Sequence, residues 1–445
     1  MIDFSPEMAT LLMFLLLIGL LSTGYPLALV LGGSALIMGL LGVGWGILDT
    51  FYLRSYAAIS EYTFLAIPLF VFMAIMVERS GVSEKLFSTM FILMGRIRGS
   101  LAIVTILTGT VLAATMGIFS AAVVMLGLAA LPPMMARGYQ KEISCGAICA
   151  SGCLGILIPP SIMLILYGPM AGISVGKMFM AAIPSGLTLS GLYIAYIVIR
   201  CWIDPDLCPV SSKEDKKEIP LAEKMRMLLT TFVPPVILIG SVLGSIFFGV
   251  ATPTEAAGVG ATASLFLAAG YGGLSLKTLK ETTYHTLKVS SMIILLVIGG
   301  FMFSGAFMSL GCGDIVEKLI LAAPFGRWGS FAIIMFIVFI LGMFIDWVGI
   351  LLILIPIVTP IAQKLGFDQL WFAMMVCISL QIAYLSPPYA PAIFFLRGVC
   401  PPEYGINTNT IIRGCVPFIG LIALGLGLMI LFPGIITWLP NVMIK

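Results

Sequence analysis

Two proline pairs interrupt the most apolar stretches of the sequence: Pro159-Pro160 in GCLGILIPPSIMLILYG and Pro387-Pro388 in QIAYLSPPYAPAIFFLRG. Proline has no amide hydrogen and its ring clashes with the preceding turn, so an adjacent pair ends a helix. A helix broken there leaves carbonyls free at the end of one arm and amides free at the start of the next. Free carbonyls ligate cations, and a helix start, at the positive end of the dipole, holds anions. In the first run Gly152 and Gly155 let other backbone approach, Ile156 to Ile158 offer carbonyls, and Pro160 and Ser161 begin the second arm. In the second run Tyr384 to Ser386 form the carbonyl side, Ser386 adds a hydroxyl, and Pro388 and Tyr389 begin the second arm. Sodium prefers such hard, uncharged oxygens. A simple kink, accommodated by neighbouring helices, is the other reading of either pair.

The two runs are in register. A shift of 228 residues carries Pro132 onto Pro360, Gly138 onto Gly366, Cys149 onto Cys377, and Pro159-Pro160 onto Pro387-Pro388. At nearly the same offset Gly24-Tyr25-Pro26 with Gly33 meets Ala251-Thr252-Pro253 with Gly260, and Glu84-Lys85-Leu86 is echoed by Glu317-Lys318-Leu319. Two related halves, each with a broken apolar segment at the same place, point to the binding site of a secondary transporter.

The elements that position these runs are membrane spans. The 445 residues are 60% hydrophobic and 10% charged, with a mean hydropathy of +1.15, whereas about a quarter of an average soluble domain is charged. Stretches able to cross about 30 Å of hydrocarbon fall near 8–23, 26–44, 62–78, 100–130, 172–199, 228–249, 256–272, 289–310, 330–356 and 411–437. The expected organisation is a first inverted repeat over 1–200 with a re-entrant hairpin near 142–170. A polar cytoplasmic linker follows over 201–227, then a second inverted repeat over 228–445 with a hairpin near 370–400. No Walker motif occurs, so uphill work falls to an ion gradient or another subunit. The net charge of +3 suggests no nucleic acid. Met1 is followed by Asp3 and Glu7 rather than a basic leader region, so the first apolar run is read as a retained span with an external N-terminus. Five crossings per half invert the second half. The loops then internal, including those at Lys364, Arg397 and Arg413, carry 16 of the 23 lysines and arginines, as the positive-inside rule prefers.

Glycine-interrupted segments face each broken run. TGTVLAATMGIFSAAVVMLG presents Thr115, Gly117 and Ser120; LGMFIDWVGILLILIP presents Gly342, Asp346 and Gly349. A carboxylate at mid-span costs about 2.5–3.5 kcal/mol to insert, so Asp346 faces protein or water. It is either an ion-site carboxylate or the cap of a broken helix. Glu255 in TPTEAAG is read as interfacial, with a functional role the alternative. Cys145, Cys149 and Cys153 share a helical face that suits a soft metal or, as is commoner, packs as small hydrophobes. His285, the only histidine, is expected at the surface, and one histidine makes neither a zinc-protease pair nor a His-based triad. Residues 79–98 place Val82, Leu86, Met90, Leu93 and Ile97 on one face, the pattern of a helix lying on the membrane surface, echoed near 313–329. It is either a scaffold arm or a membrane anchor.

Taken together, ARGYQKEISCGAICASGCLGILIPPSIMLILYG, GVATPTEAAGVGA, GMFIDWVGILLILIPI, LGFDQLWFAMMVCISLQIAYLSPPYAPAIFFLRGV and PPEYGINTNTIIRGCVPF resemble the large membrane subunit of tripartite ATP-independent periplasmic (TRAP) transporters, DctM type. The resemblance covers essentially the whole chain and is nearest the branch labelled mannitol/chloroaromatic. It implies an all-α, polytopic inner-membrane protein of two inverted repeats with two re-entrant helical hairpins, working as an elevator-type scaffold plus transport domain. It further implies sodium-coupled import of a small organic anion, a carboxylate or sulfonate, delivered by a periplasmic binding protein. A small four-helix membrane subunit and membrane lipid are the other partners, with Na+ as coupling ion and no cofactor. The site reading assigns sodium to Gly117, Gly155, Ile158, Pro159, Gly342, Asp346, Ser386 and Pro387, and the anion to Ser120, Pro160, Ser161, Pro388 and Tyr389. The family's second tip commonly reads Thr-Pro-Pro before a glycine; here Ser386 keeps the hydroxyl and Ala390-Pro391 stiffens the turn. A self-sufficient sodium/anion carrier is the rival reading, and an intramembrane enzyme a remote one, since no nucleophile and base pair is evident.

Overall fold

The computed structural model describes residues 2–94, 98–117, 119–209 and 220–443. These residues fold into helices connected by short turns, and seven helices are long and apolar enough to cross a bilayer alone. Length alone misassigns two of them, because contacts show which segments cross and which return.

Ser100–Met116 and Phe119–Ala136 are the arms of a hairpin. The amide of Leu101 donates to the Tyr139 hydroxyl at 3.4 Å, so both ends of the segment lie together while Gly117, at φ +59°, marks the distant tip. Lys141–Leu157 runs alongside from base to tip. A Cβ on Gly109 would stand 2.6 Å from the Ser151 Cβ, and one on Gly155 would touch the backbone of Ala113 and Phe119. After Pro159-Pro160 the chain continues as Ile162–Ala171 with a bend of 40°, then turns at Gly172 into Val175–Ile203.

The second half repeats this plan. Gly326–Gly342 and Trp347–Lys364 are hairpin arms. Arg327 lies over the Phe367 ring at 5.6 Å and Phe331 packs on Trp371 at 5.4 Å at the base. Farther in, Ser379 donates to Met335 Sδ at 3.2 Å, and Gly342 abuts Ala383 at the tip. Gln369–Leu385 thus follows the hairpin inward. Pro391–Val399 then carries the chain onward, past the first hairpin, where Gly127 meets Leu396 and Val399.

The hairpins expected near 142–170 and 370–400 are therefore broken spans, and the stretches near 100–130 and 330–356 expected to cross are the hairpins. The exchange swaps one crossing for another, so the parity argument is untouched. It relocates charges, however. Arg137 and Lys141 join the face that carries residues 201–209, where the Gln140 amide donates to the Leu207 carbonyl at 2.9 Å. Lys364 leaves that face and pairs with Glu317 at 2.5 Å on the other. The cationic bias of the first face grows.

Thr408–Leu431 shows that the hairpins enter from opposite faces. Near its start Gly414 packs on the Glu142 carbonyl, at the base of the first hairpin. Near its end the Met429 carbonyl accepts from Trp371 Nε1 at 3.0 Å, at the base of the second.

Leu276–Ser309 spans 34 residues, about 51 Å at the helical rise, so it extends well beyond the expected 289–310 span. It packs against Leu27–Gly42, with Gly299 on the Ala28 carbonyl, and Glu281 pairs with Arg79. Val82–Met94 is the first amphipathic arm and buries Val82, Leu86 and Phe87; Ile97 lies outside the described residues. Cys312–Leu321 is its counterpart. Ile47–Ser60 was not anticipated, because Asp49 and Arg54 interrupt its apolar pattern.

Lipid supplies little hydrophobic drive between helices, so close packing of small residues holds the bundle. A Cβ at Gly146 would fall 2.1 Å from the Gly414 carbonyl oxygen, whereas one at Gly420 would meet nothing within 4 Å. Gly146→Ala is expected to destabilise by about 1–3 kcal/mol, read as a lower apparent Tm in detergent, while Gly420→Ala leaves Tm in place.

Candidate functional site

At the first junction the tip of the first hairpin meets the break in the first span. A Cβ on Gly117 would lie 2.8 Å from the Pro160 carbonyl oxygen, so only glycine suits this position on both conformation and space. Residues 158–161 are all buried, with a cis bond between Pro159 and Pro160. The Ser161 hydroxyl donates to the Ile156 carbonyl, which takes one of the expected carbonyls out of play. The oxygen lone pairs of Ser161 remain available. Ile162–Ala171 starts without a side-chain cap, and the amides of Ile162, Met163 and Leu164 have no partner among the described residues. Gly117, Gly155, Ile158, Pro159, Pro160 and Ser161 thus come together as anticipated. Ser120 sits just past the tip, half-buried.

The second junction is built similarly and is more open. The Tyr389 amide donates to the Met343 carbonyl at 3.2 Å, so the donor expected to be free for an anion is engaged by the hairpin tip. The Ser386 hydroxyl donates to its own helix at the Ile382 carbonyl, 2.8 Å away, again leaving lone pairs. Pro387, Pro388 and Tyr389 are exposed, and the Pro387-Pro388 bond is cis. Ala390 holds φ +31°, a region L-residues seldom enter, where glycine would be easier. Asp346 is the N-cap of Trp347–Lys364, its Oδ2 accepting from the Val348 amide at 3.4 Å. It lies three residues past Met343, whose carbonyl holds the Tyr389 amide. The capping role is thus present, at the hairpin tip beside the second junction.

An aromatic contact joins the two junctions. Phe119, at the first tip, packs on Tyr384 of the second broken span with centroids 4.7 Å apart and on Phe395 at 5.6 Å. The Cys149 thiol donates to the Ala392 carbonyl at 3.6 Å, so this cysteine serves packing between the broken spans. Among the described residues no group of three or more His, Cys, Asp or Glu is placed to hold a metal ion. Glu255 completes a capping box with Thr252 at an exposed helix start, and His285 is exposed.

One buried group escaped the sequence reading. Gln381 is 1% exposed and neither amide atom has a hydrogen-bond partner. Its signal was a lone amide in the apolar run CISLQIAYLSPP. Tyr384 Oη is likewise buried and unpartnered.

The architecture is similar to that of the Alcanivorax borkumensis YdaH transporter, with a TM-score of 0.61 over 96% of this chain and 99% of that one at 17% identity. In sequence the chain is 29% identical to a C4-dicarboxylate TRAP transporter large permease protein, DctM, of Vibrio cholerae, covering 98% of each. It is 30% identical to the sialic acid TRAP transporter large permease protein SiaM of the same species, over 95% of this chain and 96% of that one. The family model for the DctM component of the tripartite ATP-independent periplasmic transporter matches residues 14–435. With its full-length match, its apolar helices and its paired broken spans, the chain belongs to the DctM family, as the multi-pass inner-membrane large permease subunit of a TRAP transporter.

Proposed function

We propose that this permease imports a small organic anion, a carboxylate or sulfonate, together with sodium, and receives the anion from a periplasmic binding protein. The observation that carries the reading is the pairing of each hairpin tip with the break of a span, one from either face, which gathers uncapped helix ends inside the membrane. Cations suit the carbonyl ends and carboxylates the amide ends. Sodium is assigned to Gly117, Gly155, Ile158 and Pro159 at the first junction and to Gly342, Asp346, Ser386 and Pro387 at the second. The anion is assigned to Pro160, Ser161 and Ser120, with Pro388 and Tyr389 exposed at the more open junction. The relatives named for C4-dicarboxylate and sialic acid fit an anionic substrate. Opposed hairpins fit two inverted repeats, with the hairpins and broken spans moving as a transport domain against a scaffold that includes Leu276–Ser309. A small four-helix subunit and lipid would brace that scaffold.

The deciding experiment is uptake into proteoliposomes carrying this chain with its small subunit, with and without an inward sodium gradient and the ligand-loaded binding protein. Uptake that requires both supports the proposal. Uptake with sodium but indifferent to the binding protein makes the chain a self-sufficient carrier, and no uptake by an inserted complex with a verified ligand overturns transport by this route.

Two substitutions test the second junction. Ser386→Ala removes one oxygen ligand and is expected to raise the sodium concentration for half-maximal uptake about fivefold, equivalent to ~1 kcal/mol; an unchanged sodium dependence removes Ser386 from the site. Asp346→Asn keeps a good N-cap and loses only the charge. Uptake is expected to fall at least about tenfold with normal insertion, whereas normal uptake limits Asp346 to capping.

A further inference from the structure

The two broken spans lie antiparallel against each other, and their register locates Gln381. The Cys149 thiol meets the Ala392 carbonyl at 3.6 Å, and Tyr384 packs on Phe119, whose backbone lies against Gly155. Gln381 is one turn before Tyr384 on the same helical stripe. Carrying that antiparallel register one turn further puts it opposite the stretch that begins near Leu157 and Ile158. That stretch is unusual backbone. Pro159 and Pro160 have no amide hydrogen, so this part of the break presents carbonyls with no competing donor before Ser161. The Leu157, Ile158 and Pro159 carbonyls accept no hydrogen bond among the described residues.

A primary amide buried with both of its polar atoms unpaired is costly, on the order of 1–3 kcal/mol for each unsatisfied group. By this register it stands opposite backbone that is equally unsatisfied. Every residue from Ile143 through Gly168 is buried, so the break is closed to bulk solvent in this conformation. A dehydrated monatomic cation fits a closed site rich in neutral oxygens.

We propose that Gln381 is a ligand of the first-junction sodium ion, its side-chain Oε1 completing a set of carbonyls from Leu157 to Pro159. The inference deepens the sodium reading above and rests on it. It also makes the first site composite: the broken span of one half supplies the backbone, and the broken span of the other supplies the side chain. Occupancy of the first junction then holds the two broken spans together across the Phe119–Tyr384 contact.

The test is sodium-dependent thermal stabilisation of the purified complex of this chain with its small subunit, titrated with NaCl against choline chloride at constant ionic strength. Wild type is expected to be stabilised by sodium. Gln381→Leu is expected to raise the half-saturating sodium concentration at least about tenfold. Gln381→Glu retains an oxygen in place but must lose a proton to use it well, so its sodium affinity is expected to strengthen as pH rises, a dependence absent from wild type. A Gln381→Leu protein with the wild-type midpoint, or a Gln381→Glu protein with a wild-type pH profile, overturns the assignment; the second variant decides if the first does not fold. No sodium effect on wild type at all would instead overturn the sodium reading itself.

Discussion

A backbone amide or carbonyl inside a bilayer must find a partner within the protein, and the architecture of this permease follows from that constraint. Four helix interruptions lie at depth: Gly117, Met343 to Asp346, and the two proline pairs. None is left facing lipid alone. Each hairpin tip is set against a broken span, so that the groups one interruption frees lie beside those freed by the other. The bond from the Tyr389 amide to the Met343 carbonyl is the direct instance, and the approach of Gly117 to the Pro160 carbonyl is its counterpart. At the first junction the Leu157 to Pro159 carbonyls and the Ile162 to Leu164 amides stay unpaired among the described residues, and these are the groups to which the proposed ions are assigned.

Close approach of backbones is the means by which the junctions are held. Gly152 packs on Val123, Gly155 on Phe119, Gly146 on Gly414 and Gly342 on Ala383; a Cβ at Gly146, Gly152 or Gly342 would overlap its neighbour, while one at Gly155 would just touch Phe119. At the base of the second hairpin a different device serves the same end, with Phe331, Phe367 and Trp371 packed together and Arg327 over Phe367. The hairpins are thus clamped at the base and seated by glycine at the tip, which leaves their depth in the membrane well determined.

The places where the interruptions meet were legible in the sequence, because proline pairs and glycines report directly on backbone. Gly117, Gly155, Pro159, Pro160 and Ser161 gather at one junction, and Gly342, Asp346, Ser386 and Pro387 at the other, as residue type and register implied. The path of the chain through them was not legible. A span bent at two prolines and a hairpin turned at a glycine have the same length, the same hydropathy and the same central interruption. Phe119–Ala136 would even pass as a span by itself. Only contacts between distant residues, Leu101 with Tyr139 and Arg327 with Phe367, distinguish them. Gln381 was missed for the opposite reason: one amide in an apolar run has no periodicity, and its significance appears only when its lack of partners is known.

The two junctions are chemically alike and unequally accessible, and that difference bears on how a carrier built this way works. At the first, residues 158–161 are closed over; at the second, Pro387 to Tyr389 are open. The pieces are joined by Phe119, which touches both the second span before its break at Tyr384 and after it at Phe395. A movement that opened the first tip would have to disturb these edge-on and tilted ring contacts, and therefore the second broken span. For the proposed importer this supplies a physical route by which occupancy of the closed junction bears on access to Pro388 and Tyr389 at the open one. The coupling would need no long chain of intermediates, because the two breaks share a single aromatic side chain.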